Sequence, residues 1–368
     1  MNRTTGLIAI GMVTVGALVG VVMSIQAPAT TARAPSPQAK QEPFAADRLP
    51  AIDPEDPVPR DKFAADRGAK AADVKTFPID GDRAMKYLKQ LCDIGPRVSN
   101  TNGMAVQQAI IIKHFEGFGA KVARQEFKAK QRSQKTDVPM TNLVISWFPD
   151  RKKRVIICSH YDTRPSAHEE PKREAWNKPF VSANDGTGAV ALMMELAHHL
   201  KDFPTSVGLD FVLFDGEEYI FDMGVPLVRE GDEYFFGSKH FGAEYTKAKQ
   251  RLPFKYDAAI LLDLCCGENA RLAVEGYSWR FAPQLVKQVW DTAAAIGAKS
   301  FKFEQGFNRS IDVQDDHLAL NEAGIPAIDI IDFDYAHWHL LSDTPDKVSP
   351  KQVVEVSNVL LAWLQQQK

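Results

Sequence analysis

The sequence predicts one α/β domain with three layers, in which helices cover both faces of a central, mixed but mostly parallel sheet. Continuous apolar runs typical of buried strands alternate with amphipathic segments typical of helices, as in sheets of this kind. Acidic and imidazole side chains follow several of these runs, among them His160, Glu217 and Asp263. Because ligands collect at the carboxyl ends of parallel strands, we expect these side chains to share one site there.

Six segments are predicted to be strands, and they are of two kinds. Lys121–Phe127 and Asn142–Trp147 alternate between apolar and polar residues, which is typical of a strand with one solvated face. The other four are nearly continuous apolar runs, which is typical of strands buried on both faces. These runs are Arg154–Ser159, Gly208–Phe214, Asp257–Leu264 and Ile325–Ile331.

Helical spacing of apolar residues predicts five helices. The first, Asp80–Leu91, ends before the helix-breaking triplet Gly95–Pro96–Arg97. Asn102 is expected to cap a second helix that runs from Gly103 to about Phe118, since asparagine is favoured at that position. The remaining predicted helices are Thr187–Leu200, Pro283–Ile296 and Pro350–Leu364.

The composition is that of an ordinary globular protein. The chain has 368 residues, of which 45% are hydrophobic and 25% are charged, and its formal net charge is −3. With this near-neutral balance and no basic stripe, we expect no nucleic-acid partner. We also expect a monomer. The four cysteines have no CxxC spacing, so the sequence indicates neither a zinc ribbon nor a disulfide scaffold.

The N-terminal part of the sequence differs from the rest. Arg3 precedes an uncharged apolar run from residue 6 to residue 25, which is long enough to span a bilayer. We therefore predict that residues 1–26 are either a cleaved signal peptide or a membrane anchor, and that the protein is extracytoplasmic, in the periplasm or secreted. Residues 27–76 are predicted to be a Pro/Ala-rich flexible linker, and residues 77–368 the catalytic domain.

His160 and Asp162 flank Tyr161 directly after a buried strand. In extended chain, residues two apart point the same way, so both side chains can face one site. Asp185 comes just before a predicted helix, where it could be a helix cap or a metal ligand. The sequence alone leaves both readings open.

The adjacent acids Glu217 and Glu218 end a buried strand. Two neighbouring carboxylates repel each other when both are buried and charged, and a metal ion bound by one of them relieves that repulsion. The other can then act as a proton shuttle. This pair is the strongest local indication of a metal-dependent enzyme.

Three further positions could join the same site. Asp263 ends an otherwise apolar strand, and a carboxylate there needs a partner. Asp315 lies in the polar run Gln314–Asp315–Asp316–His317, which could also be a helix cap. His339 follows His337 and Trp338, so one histidine could bind metal while the tryptophan forms a wall of the pocket.

In this order, the motifs resemble those of the zinc aminopeptidase superfamily, and within it the glutaminyl-peptide cyclotransferases. The resemblance extends from about Gly95 to Leu364, so the fold it implies is the zinc aminopeptidase-like one. The matching segments are Gly95–Arg97, Ser159–Asp162, Asn184–Asp185, Phe214–Glu218, Tyr234–His240, Leu261–Leu264, Gln314–His317 and Trp338–His339.

The resemblance implies an enzyme that converts the N-terminal glutamine of peptides or proteins to pyroglutamate and releases ammonia. One zinc ion would be held by Asp185, Glu218 and His339. Glu217 would be the proton shuttle, supported by Asp263 and Asp315. Trp338 and Gln314 would bind the substrate.

The resemblance also leaves two alternatives open. A di-zinc aminopeptidase that removes N-terminal residues from peptides would use His160 and Asp263 at a second metal, with Glu217 as the base. A binding domain without catalysis is the other alternative.

Three positions depart from the pattern of the animal cyclotransferases. This chain has Asp329 where they have a histidine, Met223 near where they have a tryptophan, and Ser159 where they have a cysteine.

Overall fold

The computed structural model describes residues 74–221, 231–305 and 312–367. The predicted signal peptide or anchor and nearly all of the predicted linker lie outside these residues, so both stay predictions. None of the helices in the described part of the chain has the length and hydropathy that a bilayer crossing requires.

The described residues form one six-stranded sheet and a separate two-stranded pair. In the large sheet the strands lie in the order β1-β2-β4-β3-β5-β8, and only β2 runs against the others. The prediction of a mixed, mostly parallel sheet is therefore confirmed. The strands are β1 (Lys121–Ala129), β2 (Val138–Trp147), β3 (Lys153–His160), β4 (Gly208–Phe214), β5 (Lys255–Asp263), β6 (Leu272–Val274), β7 (Phe301–Gln305) and β8 (Ala327–Ile331).

Eight α-helices lie within the described residues. All five predicted helices are present, with ends that differ by one or two residues from the prediction. The helices are α1 (Gly81–Cys92), α2 (Asn102–Gly117), α3 (Gly188–Leu200), α4 (Phe236–Ala248), α5 (Gly276–Phe281), α6 (Pro283–Ala295), α7 (Asp316–Glu322) and α8 (Pro350–Gln366). The predicted cap of α2 is wrong, because the Thr101 side chain accepts the hydrogen bond from the Met104 N–H and Asn102 is the first helical residue.

Side chains that alternate along each central strand pack into two different cores. Ile157 of β3 belongs to the large core that it shares with α1, α2, α3, α6 and α8. Its neighbours Ile156 and Cys158 belong to the opposite core, which contains residues of α4 and α7. Because successive strand residues face opposite sides, this division places helices on both faces of the sheet. The predicted three-layer architecture is confirmed.

The carboxyl ends of β3, β4 and β5 meet at one edge of the sheet. These strands are parallel neighbours, and His160 of β3 pairs in register with Phe214, the last residue of β4. The segments that leave the three strands therefore begin side by side. This edge is where the sequence predicts the site.

Candidate metal centre and proton-transfer site

Five separate segments bring the predicted site residues together. His160 and Asp263 are the last residues of β3 and β5, and Glu217 and Glu218 follow the end of β4. Asp185 lies in the turn before α3, and His339 lies in the loop after β8. Every one of these side chains is buried, although all of them are ionisable. Burying so many ionisable groups is costly unless they are paired or bind a cation.

Asp185, Glu218 and His339 form one group of potential metal ligands. One ligand atom from each lies within 4.8 Å of the others. The His339 Nε2 atom contacts Glu218 Oε1 and lies 3.5 Å from Asp185 Oδ2. Burial and the nearby Arg164 lower the pKa of His339 well below its ordinary value. The imidazole is therefore neutral, which is the form that binds metal.

The hydrogen bonding of this group fits a zinc ion. Within the described residues, Asp185 Oδ2 and Glu218 Oε2 are buried and have no hydrogen-bond partner. Burial and the neighbouring Glu218 raise the pKa of Asp185 well above its ordinary value. A divalent cation would satisfy these oxygens and remove the repulsion between the two carboxylates. Two carboxylates and one imidazole are also the donor set of a catalytic zinc site.

A second group shares Asp185 with the first. His160 Nε2 lies 3.1 Å from Asp185 Oδ1 and 3.3 Å from Asp263 Oδ1. Burial would lower the pKa of His160, but its hydrogen bonds with the surrounding carboxylates outweigh burial and raise the pKa well above its ordinary value. Asp185 therefore lies between two potential ligand groups, as the di-zinc alternative requires.

Glu217 is held in place through its backbone. Asp162 accepts hydrogen bonds from the N–H groups of Glu217 and Glu218, each at 3.1 Å. These two hydrogen bonds fix the backbone from which both glutamate side chains extend. Burial and the charge of Glu218 raise the pKa of Glu217 well above its ordinary value, which suits a group that takes up and returns a proton.

Asp315 is the N-cap of α7 and borders the same acidic cluster. Its carboxylate accepts a hydrogen bond from the Asp316 N–H at 2.6 Å, as a helix cap does. Burial and the neighbouring Asp263 raise the pKa of Asp315 well above its ordinary value. Asp315 is therefore a helix cap that also lies near Asp263.

Asp329, at the centre of β8, is fully buried, and neither of its carboxylate oxygens has a hydrogen-bond partner in the described residues.

Trp338 lies beside His339, whereas Gln314, which is also half-buried, forms a hydrogen bond with Tyr277. The Trp338 ring stacks on His339 with ring centroids 3.9 Å apart. It also packs edge to face with Phe333, with ring centroids 5.0 Å apart. His339 has a φ of 55°, so the chain is not extended there and His337 diverges from it. His337 instead forms a hydrogen bond with Ser342 Oγ at 2.8 Å. Of the two histidines, His339 is the one at the metal group.

Sequence reasoning missed two residues that support the site. Arg164 is fully buried, with its Nη1 atom 3.5 Å from Glu218 Oε1 and its Nη2 atom donating to the Tyr234 hydroxyl at 3.1 Å. The spacing of His160, Asp162 and Arg164 could have indicated it, because alternate residues share one side. Asp343 is the other, and no local pattern marks it.

Comparison with known proteins shows which family the chain resembles. The family model described as peptidase family M28 matches residues 142–364. The solved structure of glutaminyl cyclase from Fimbriiglobus ruber is 66% identical; the match covers 80% of this chain and 98% of that one, with a TM-score of 0.79. A leucine aminopeptidase precursor from Bacteroides thetaiotaomicron is 31% identical over 80% of this chain and all of that one, with a TM-score of 0.71.

A curated relative is more distant. Glutaminyl-peptide cyclotransferase from the snake Boiga irregularis is 23% identical over 255 residues, which is 61% of this chain and 64% of that protein. The chain therefore spans slightly less than two thirds of the length of this relative. The family match covers more than half of the chain, and the Fimbriiglobus structure matches over nearly its whole length. The chain belongs to peptidase family M28, in its glutaminyl cyclase branch.

Proposed function

We propose that this protein cyclises the N-terminal glutamine of peptides or proteins to pyroglutamate and releases ammonia. The observation that carries the proposal is the buried Glu217 carboxyl group, which lies directly beside the ligand group Asp185, Glu218 and His339. A proton-transferring group next to a Lewis acid is what this reaction needs. The 66% identity to a glutaminyl cyclase supports the same choice.

One zinc ion is expected, held by Asp185, Glu218 and His339. When bound there, zinc would polarise the γ-carboxamide carbonyl group of the substrate glutamine. The neutral His339 and the two partnerless carboxylate oxygens are suited to holding it. Arg164 would keep the Glu218 carboxylate in position by charge attraction and would exclude water with its buried side chain.

Glu217 carries the proton through the reaction. It accepts a proton from the substrate α-amine as the amine nitrogen forms a bond with the γ-carboxamide carbon. The bond from that carbon to the amide nitrogen then breaks, and Glu217 returns the proton to the departing nitrogen, which leaves as ammonia. Burial and the charge of Glu218 raise the pKa of Glu217, which makes its carboxylate a stronger proton acceptor than an exposed glutamate.

Asp263 and Asp315 are proposed to orient Glu217. Burial and Asp263 raise the pKa of Asp315, which favours the protonated form of its carboxyl group, and that form can donate a hydrogen bond to a neighbouring carboxylate. Asp263 in turn lies 3.3 Å from His160 Nε2, which fixes its direction. Trp338 would pack against the glutamine side chain, and Gln314 would bind its polar groups.

The second candidate function is removal of N-terminal residues by a di-zinc aminopeptidase. It is favoured by the second ligand group, because His160, Asp185 and Asp263 also bring three ligand atoms within 4.8 Å. The 31% identity to a leucine aminopeptidase precursor is consistent with it. In that reaction Glu217 would take a proton from the attacking water.

Product analysis separates the two functions. The zinc-loaded full chain would be incubated with a peptide that begins with glutamine and with a matched peptide that begins with leucine. Cyclisation predicts ammonia release and a product lighter by one ammonia, with every peptide bond intact, from the first peptide alone. Free leucine or glutamine would contradict the proposal and indicate the aminopeptidase.

We also propose that the protein is exported and that it acts as a monomer. The N-terminal residues 6–25 would be the export signal or tether, and they lie outside the described residues. Fractionation of cells that express the full chain, with light scattering of the purified protein, tests both proposals. A cytoplasmic or dimeric protein would contradict them.

A further inference from the structure

We propose that Asp343 is a positioning residue for the metal centre. Together with Asn184, it anchors the turn that contains Asp185. The turn is thereby attached to the segment that follows Asp263 and to the loop that contains His339. The inference rests on the metal centre of the proposed function, but it concerns how the ligands are held. The turn Ala183–Thr187, which we call the Asp185 turn, is the element that Asp343 controls.

Asp343 is fully buried, and its carboxylate accepts hydrogen bonds from the backbone of the Asp185 turn and from the Tyr335 hydroxyl. Its Oδ1 atom accepts from the Asn184 N–H at 2.9 Å and from the Tyr335 hydroxyl at 2.8 Å. Its Oδ2 atom accepts from the Asp185 N–H at 3.2 Å. The backbone adds a further bond, from the Ala183 N–H to the Asp343 carbonyl at 3.3 Å. A carboxylate is needed here, because every partner is a donor.

Asn184 extends this connection to the end of β5. Its Nδ2 atom donates to the Leu264 carbonyl at 3.0 Å, and its Oδ1 atom accepts from the Cys266 N–H at 3.0 Å. Leu264 directly follows Asp263 and has a φ of 47°, so the chain turns sharply there. Gly267 allows the close approach, since a Cβ atom at that position would lie 3.0 Å from Asn184 Nδ2.

The Asp185 turn has a conformation that needs such support. Asp185 itself is not helical, with φ −77° and ψ 96°, and Gly186 follows with a φ of 72°. A Cβ atom at Gly186 would lie only 2.6 Å from His160 Cε1, so the turn packs directly on the imidazole. A small shift of the turn would therefore move the Asp185 carboxylate away from both ligand groups. Groups that orient metal ligands in this way commonly contribute strongly to metal affinity.

The zinc affinity of the full chain tests the role of Asp343. Asp343→Asn keeps the shape of the side chain but replaces one acceptor oxygen with an NH₂ donor that faces other donors. We expect its zinc affinity, measured by competition with a chromophoric chelator, to fall by about 10–100-fold. Tyr335→Phe removes one of the hydrogen bonds and should cause a smaller loss. Asp346→Asn is the matched control, because Asp346 lies in the same loop with its side chain 67% exposed, and its affinity should not change.

A purely structural role would give a different result. Asp343→Asn would then lower the unfolding temperature of the metal-free protein and leave its zinc affinity unchanged, which would overturn the proposal. If Asp343→Asn does not fold, Tyr335→Phe decides, and an unchanged zinc affinity of that variant would overturn the proposal equally. Zinc affinity is measured without substrate, so failure of the wild-type chain to cyclise glutamine would count against the proposed function and not against this inference.

Discussion

Strands β3, β4 and β5 carry buried charges near both of their ends, and the two ends are built differently. Near the amino end, Arg154 donates to both carboxylate oxygens of Asp210, at 2.5 Å and 2.9 Å, and the Tyr256 hydroxyl donates to Asp210 at 2.6 Å. All three guanidinium nitrogens also have carboxylate or backbone carbonyl partners. This cluster neutralises itself and needs no ligand.

The cluster at the carboxyl end contains more acids than cations. Asp185, Glu217, Glu218, Asp263 and Asp315 converge there, and oxygens of Asp185 and Glu218 have no hydrogen-bond partner among the described residues. The same three strands thus have one end whose charges are paired within the protein and one end with an excess of acids that a divalent cation would balance. Both clusters are buried, so burial of charge alone does not distinguish them. An excess of buried acids over cations distinguishes the candidate functional site from the structural ion pair.

The largest expected effect comes from removing the proton carrier at the carboxyl end. Glu217→Gln should lower the turnover number for glutamine cyclisation by about 10²–10⁴-fold, because an amide cannot shuttle the proton. Zinc content after dialysis should stay that of the wild type, since Glu217 is outside the proposed ligand set. Glu126→Gln, at a side chain that is 71% exposed, is the control. Full turnover of Glu217→Gln would refute its assigned role.

Breaking the amino-end cluster should affect stability and leave the metal centre intact. Asp210→Asn leaves the Arg154 guanidinium buried without its counter-charge, which should lower the free energy of unfolding by about 3–5 kcal/mol. Denaturant unfolding measures this loss, and chelator competition measures zinc affinity under native conditions. A parallel fall in zinc affinity would show that the two ends of the strands are not independent.

Zinc should stabilise the protein through the carboxyl-end cluster alone. Free zinc at about one hundred times its dissociation constant should raise the free energy of unfolding by about 2.7 kcal/mol. Thermal unfolding with and without a chelator measures the change. Glu218→Gln should abolish the zinc-dependent shift, whereas Asp210→Asn should keep it. A shift that persists in Glu218→Gln would place the zinc elsewhere.

The smallest expected effect concerns Glu195 of α3, another buried charge of the paired kind. Burial would raise its pKa, but the neighbouring His199, 3.5 Å away, and the hydrogen bonds from Arg83 and the Asp80 N–H outweigh burial and lower the pKa to about 2. The folded-state pKa lies below the unfolded value, so the stabilisation is complete above about pH 4.5 and is lost as the pH falls towards 2.

The variant Glu195→Gln tests this pH dependence. Its free energy of unfolding should lie below that of the wild type by roughly 2 kcal/mol at neutral pH. The difference should shrink as the pH falls from 5 towards 2, because the wild-type carboxylate becomes protonated. Urea unfolding at several pH values measures it, and a difference that does not vary with pH would contradict the assignment.

The sequence predicts the central sheet well because its strands are defined locally. Arg154–Ser159 and Gly208–Phe214 are continuous apolar runs, and such runs are typical of strands that are buried on both faces. Their strand type and nearly all of their boundaries can therefore be predicted without knowing which segments pack against them. Helix α4 was missed because its segment, Phe236–Ala248, contains two glycines and has a weak apolar period. The strand β6 has three residues, which is too short to show any period.

The site was predicted only as far as its residues follow strand ends or known motifs. Glu217, Asp263 and His160 were found in this way, and the structure brings them together with Asp185 and His339. Asp343 could not be found, because its hydrogen bond to the Asn184 N–H joins residues 159 positions apart. Contacts of this range depend on the complete fold, and a single sequence has no pattern that marks them.

The most direct test of the account is the position of zinc in crystals of the zinc-loaded protein, measured by anomalous diffraction at the zinc edge. We predict one peak, within bonding distance of the Asp185 and Glu218 carboxylates and of the His339 imidazole. A second peak against His160 and Asp263 would contradict the single-zinc cyclase and favour the aminopeptidase. The absence of any peak among these residues would contradict the central claim that the carboxyl-end cluster is built to hold a cation.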